Sequence, residues 1–78
     1  MTDQVNNLLQ EMVAMQHAKL LRVGRQIIPT LTSEDVLQPM DYAELELHPA
    51  FRYEEGILAG MQAIQMALRA WQNDLKSS

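Results

Sequence analysis

Residues 57–75 read ILAGMQAIQMALRAWQNDL, and their spacing decides the fold class. Ile57, Met61, Ile64, Leu68, Trp71 and Leu75 recur in alternating steps of four and three. At 100° per residue they fall within an arc of about 80°, which is one face of an α-helix. Beside that face runs a stripe of small residues: Gly56, Gly60, Ala63, Ala67 and Ala70. A glycine inside a helix costs up to about 1 kcal/mol relative to alanine, so two on one stripe predict the close approach of another helix. Gln62, Gln65, Arg69 and Gln72 occupy the opposite side and are expected in solvent. Pro49 suits a first helical position, and Glu54 and Glu55 suit the positive end of the helix dipole. A helix over about 49–75 follows.

The upstream segment supports a second long helix, over about 3–28. It contains no proline and one glycine, and Thr2 or Asp3 can cap its start. Its apolar residues form two overlapping stripes, Val5/Leu8/Met12/Met15 and Leu9/Val13/Leu20/Val23/Ile27. Lys19, Arg22 and Arg25 crowd the last turns, where the dipole favours cations, and Pro29 ends the helix.

About twenty residues join the two helices, too many for a structureless loop in a compact domain. Thr32-Ser33-Glu34-Asp35 predicts a capped helical turn through Val36 and Leu37, stopped by Pro39. Asp41-Tyr42-Ala43-Glu44 repeats that logic before Leu45 and Leu47. Leu31, Val36, Leu37, Met40, Leu45 and Leu47 are expected to pack on the end of the hairpin. Tyr53 aligns with Ile57, Ile64 and Trp71 and is expected in the core. Phe51 lies about 160° away from it and is expected either to pack under the connector or, if exposed, to serve as a docking aromatic.

Composition narrows the function classes. The chain has 78 residues, no cysteine, two histidines (His17 and His48) and a formal net charge of −4. One small domain of this length forms a marginal core, which favours self-association when disulfides and thiolate metal sites are absent. Between Thr30 and Glu55 there are seven acids (Glu34, Asp35, Asp41, Glu44, Glu46, Glu54, Glu55) against one base, Arg52. An acidic chain with no basic run argues against nucleic acid as a partner. No apolar run approaches the roughly twenty residues of a membrane span, and MTDQVNN has no basic or apolar signal region, so a cytoplasmic setting is expected.

The densest chemistry is DYAELELHPAFRYEE, residues 41–55. Bundle metal sites use Glu-x-x-His pairs on helices, and none occurs here; Glu46-x-His48 has strand-like spacing before a proline. Glu54 and Glu55 diverge by about 100° on a helix and cannot share one ion well. There is no EF-hand loop and no glycine-rich phosphate loop. Ser33, Ser77 and Ser78 sit in a cap position and a terminal tail, and His17 stands alone in its helix, so no nucleophile–base pair is apparent. No catalytic, cofactor-binding or metal residue is assigned.

The expectation is therefore an all-α protein: a long antiparallel helical hairpin with a short-helix acidic connector over about 29–48. Two helices cannot cover all of their own apolar stripes, so the hairpins are expected to pair as a homodimeric four-helix bundle or to receive another protein's helices. The function expected is non-enzymatic protein–protein interaction, with a partner carrying a basic or helical docking segment. The candidate contacts are Phe51, Arg52, Glu44 and Glu46 on the connector side and Leu9, Val13 and Leu20 on the first helix. The alternative is a bundle enzyme or ligand carrier with a site across a dimer interface, for which Gln16, His17 and Gln65 are the available polar groups.

Overall fold

The structure, a computed structural model, describes residues 2–77, with side chains from Asp3 to Lys76. The proposed Thr2 cap and the tail serines Ser77 and Ser78 fall outside the described side chains. Helix α1 (Thr2–Ile27) leads through α2 (Ser33–Val36), a 3-10 turn (Pro39–Asp41) and α3 (Ala43–Glu46) into α4 (Pro49–Ser77). No strand occurs among the described residues. Helices α1 and α4 pack antiparallel into a rod of 48 × 19 × 19 Å.

The seam between the long helices follows a 3-4 spacing on both sides. Asn6, Leu9, Val13, Gln16, Leu20, Val23 and Ile27 line it from α1. Phe51, Glu54, Leu58, Met61, Gln65, Leu68 and Gln72 line it from α4. This is the spacing at which helices interlock side by side. Several of the seam residues are polar, whereas some large apolar side chains of α4 lie elsewhere. Ile64, Trp71 and Leu75 are more than half exposed, and Tyr53 is 69% exposed. Tyr53 thus leaves the core that its alignment predicts, and Gln65 and Gln72 enter the seam instead of solvent.

Phe51 explains the rotation. Its side chain is fully buried, in a core with Leu20, Leu31, Val36, Leu45 and Leu58. That core sits at the closed end of the hairpin, where the connector folds back over both helices. Turning α4 to bury Phe51 turns Tyr53, about 160° away, toward solvent. Of the two expectations for Phe51, packing under the connector is the one seen, and its place as a docking aromatic is corrected.

Gly24 makes room for this arrangement. A Cβ there would stand 2.5 Å from Leu31 Cδ2 and 3.4 Å from the Phe51 ring. The close approach that the sequence assigned to Gly56 and Gly60 is absent within the chain, since neither has a neighbour within 4 Å of a built Cβ. The close-packed glycine of the hairpin lies in α1.

The connector is ordered by local bonds. Thr32 Oγ1 accepts from the Asp35 backbone N–H at 3.2 Å, and the Thr32 N–H donates to Asp35 Oδ2 at 3.0 Å, a reciprocal capping box. That backbone bond, reinforced by the Thr32 hydroxyl, holds the Asp35 carboxyl below its ordinary range. Arg25 Nε donates to the Leu31 carbonyl at 2.8 Å and ties the connector to α1. The second expected box does not form: Asp41 belongs to the 3-10 turn, and Tyr42 precedes α3 without a side-chain cap bond. Leu31, Val36 and Leu45 pack inward as expected, while Leu37, Met40 and Leu47 remain exposed. A four-residue helix offers roughly one turn, so each short helix buries one apolar residue and exposes the next.

Truncating Phe51 to Ala should cost about 3–5 kcal/mol in chemical denaturation, as expected for an enclosed aromatic. Gly24→Val should cost about 1–3 kcal/mol by overfilling the same core. The exposed connector variant Leu47→Ala should stay within about 0.5 kcal/mol of the unsubstituted protein.

Candidate interaction surface

The hairpin's polar seam is built in layers. At its middle, Gln16 Nε2 donates to both the Glu54 carbonyl and Glu54 Oε2, each at 2.9 Å. Lys19 Nζ lies 3.2 Å from Glu54 Oε1, so each carboxylate oxygen has a partner. Gln16 and Glu54 are both buried. The Gln16 amide, followed by Lys19, draws the Glu54 carboxyl below its ordinary value. Toward the open end, Asn6 and Gln72 exchange amide hydrogen bonds at 3.3 Å in each direction. Buried polar groups are tolerated when their bonds are made, and no described buried side-chain polar atom lacks one. These layers fix which residues of α1 and α4 stand opposite one another.

The two flanks of this seam have opposite character. One is polar: a groove of about 90 Å³ lined by Asn6, Asn7, Leu9, Gln10, Gln65 and Arg69. The other holds a groove of about 280 Å³ between Met12, Met15 and Met61, with Lys19 and Arg22 at its connector end. On that second flank α1 presents Val5, Leu8, Met12 and Met15, all exposed. Helical spacing places Ile57, Ile64 and Trp71 on the same side of α4 as Met61. Both unused apolar stripes therefore meet on one side of the rod.

The candidate contacts from the sequence do not assemble into one site. Leu20 and Phe51 are core residues, which removes both from the surface. Leu9 and Val13 are half-buried and belong to the intrachain seam. Glu44 and Glu46 are exposed on α3, and Arg52 is exposed on α4, where its Nη1 lies 3.3 Å from Glu55 Oε1. Two of the α1 cations are bonded within the hairpin. Lys19 meets Glu54 of α4, and Arg25 bonds a backbone carbonyl. The Val5/Leu8/Met12/Met15 stripe, rather than Leu9/Val13/Leu20, is the part of α1 open to a partner.

Among the described residues no group of three or more His, Cys, Asp or Glu side chains could hold a metal ion. No described helix is long and apolar enough to cross a membrane. His17 is half-buried in α1. No protein-family model, curated protein or solved structure matches this chain.

The Glu54 layer has a pH signature. Its folded carboxyl binds protons less readily than the unfolded one, so its contribution is present at neutral pH. That contribution is lost as pH falls below about 4.5 and through the lower folded value. Glu54→Gln should lower the melting temperature at pH 7 and shrink the drop between pH 7 and pH 3. The residual drop in that variant should include Asp35, whose carboxyl is lowered in the same sense. Thermal melts by circular dichroism at the two pH values check both.

Proposed function

We propose that the protein is a non-enzymatic protein–protein interaction module, an adaptor, assembly subunit or small binding chaperone. It acts through the apolar flank of its hairpin and through its acidic connector. One observation carries this reading: with the hairpin closed, Leu8, Met15, Ile64 and Trp71 remain 58%, 72%, 59% and 58% exposed, on a single flank. Contiguous apolar surface of this kind marks association with protein. Helix on helix is the natural completion, because the exposed stripes keep the 3-4 spacing along both helices. Two hairpins stacked on these flanks would make a homodimeric four-helix bundle.

The connector would then remain as the outward surface. Its exposed acids Glu34, Asp41, Glu44 and Glu46 are interspersed with exposed Leu37, Met40 and Leu47. That mixture suits a partner segment that is basic and helical, and it repels nucleic acid. Arg52 stands beside this surface. The competing reading, an enzyme or ligand carrier assembled across the interface, requires polar groups on the apolar flank. Gln16 is already bonded to Glu54, and Gln65 lines the opposite, polar groove, which disfavours it.

Association stabilises the folded state by mass action, so melting temperature should rise with protein concentration. We expect that rise for the unsubstituted chain and its loss in Ile64→Glu, with helix content retained. Gln62→Glu, on the exposed outer side of α4, should keep the concentration dependence. A melting temperature independent of concentration in all three proteins would refute self-association through this flank.

A further inference from the structure

The pattern of residue sizes along α4 identifies what covers the apolar flank and in which orientation. Its outward seam reads Tyr53, Ile57, Gly60, Ile64, Ala67, Trp71 in steps of four and three. Large residues recur at intervals of seven, Ile57, Ile64 and Trp71, and the small Gly60 and Ala67 fall between them. A second α4 running antiparallel about a two-fold axis at the level of Gln62 sets each isoleucine of this stripe against a small residue. Ile57 meets the partner's Ala67, and Ile64 meets the partner's Gly60. Tyr53 meets the partner's Trp71, an aromatic pair at each end. Gly60 has nothing within 4 Å of a built Cβ inside its own chain, which leaves space for the incoming Ile64. The neighbouring Gly56, Ala63 and Ala70 permit helix axes to approach at the short end of the usual 8–10 Å.

Helix α1 adds its own apolar residues to this flank, among them Met12 and Met15. The groove lined by Met12, Met15 and Met61 puts Met61 level with residues 12–15 of α1. Leu9 and Gln10 stand level with Gln65 and Arg69 on the other flank. Gln62 thus lies level with about residues 13–14 of α1. A two-fold axis at that level also sets Met12 against the partner's Met15. The flank is large enough, because a rod 48 Å long and 19 Å wide compares with the roughly 800 Å² each partner contributes to a stable interface. The charges also agree with this orientation. Lys19 and Arg22 mark the connector end of the flank, and an antiparallel mate places its own pair at the far end.

We infer that the occupant of this flank is a second copy of the chain, stacked antiparallel about a two-fold axis at the level of Gln62, with Ile64 of each copy seated on Gly60 of the other. This rests on the interaction-module reading and adds its partner, register and direction. Two copies related this way present identical patches to one another, as an isologous contact requires.

The chain has no cysteine, so single-cysteine labelling is direct. Ala63→Cys and Ala70→Cys are both exposed and lie at equivalent helical positions, just beside the α4 seam. In the proposed dimer two Ala63 positions lie about 3 Å apart along the axis, and two Ala70 positions about 24 Å apart. Each variant is labelled with pyrene maleimide and its excimer emission read together with its molar mass. The expected result is a dimer with strong excimer emission from position 63 and at least a fivefold weaker signal from position 70. A dimer with equal excimer emission at the two positions, or none at either, would overturn the orientation and leave the interaction module standing. A folded monomer would overturn the second copy as occupant of the flank.

Discussion

The burial of Phe51 between Gly24 and the connector is the constraint on which the remaining structure depends. Once that ring is enclosed with Leu31 and Leu45, the rotation of α4 about its own axis is set. The residues that follow at 3-4 spacing, Glu54, Leu58, Met61, Gln65, Leu68 and Gln72, must face α1. The stripe carrying Ile57, Ile64 and Trp71 is then turned outward. The connector is accordingly more than a link, since Leu31, Val36 and Leu45 complete the only fully enclosed core described in the molecule. A chain of this size has few such contacts available, which is why one aromatic and one glycine hold so much of the arrangement.

That rotation leaves the hairpin with polar layers set into an otherwise apolar seam, and with an apolar exterior flank. A buried carboxylate is costly unless its oxygens are bonded, and Glu54 meets the condition through Gln16 and Lys19. In return such a layer specifies register, because sliding α4 by one turn would strand the charge. The Asn6–Gln72 amide pair does the same toward the open end. The polar bonds align the hairpin, while Leu8, Met15, Ile64 and Trp71 stay exposed on its flank. This division suits a subunit that must fold with a defined shape before it associates.

Much of the fold was legible in the sequence. Helical spacing and the proline stops placed two long helices, and Thr32 with Asp35 marked the capping box that starts the connector. The direction in which α4 faces was not legible. Both of its stripes repeat at 3-4 spacing, and the more hydrophobic one was naturally assigned to the interior. Hydrophobicity alone cannot tell an intrachain seam from an interchain one. The deciding contact joins Gly24, Leu31 and Phe51, residues far apart in the chain, and no local pattern announces it. For the same reason Leu20 and Phe51 were read as partner contacts although they lie in the core, and the helix expected close to Gly56 and Gly60 is not α1. Glu44, Glu46 and Arg52 do lie at the surface, as residues on short exposed turns and at the outer side of a helix start are expected to.

The central claim is that the exposed apolar flank is an interface rather than a permanent surface. Molar mass by light scattering, through a dilution series into the low micromolar range, tests it most directly. The account predicts a mass twice that of the 8.9 kDa chain at high concentration, falling toward the monomer on dilution. A well-folded 8.9 kDa monomer throughout the series would contradict the two-copy bundle.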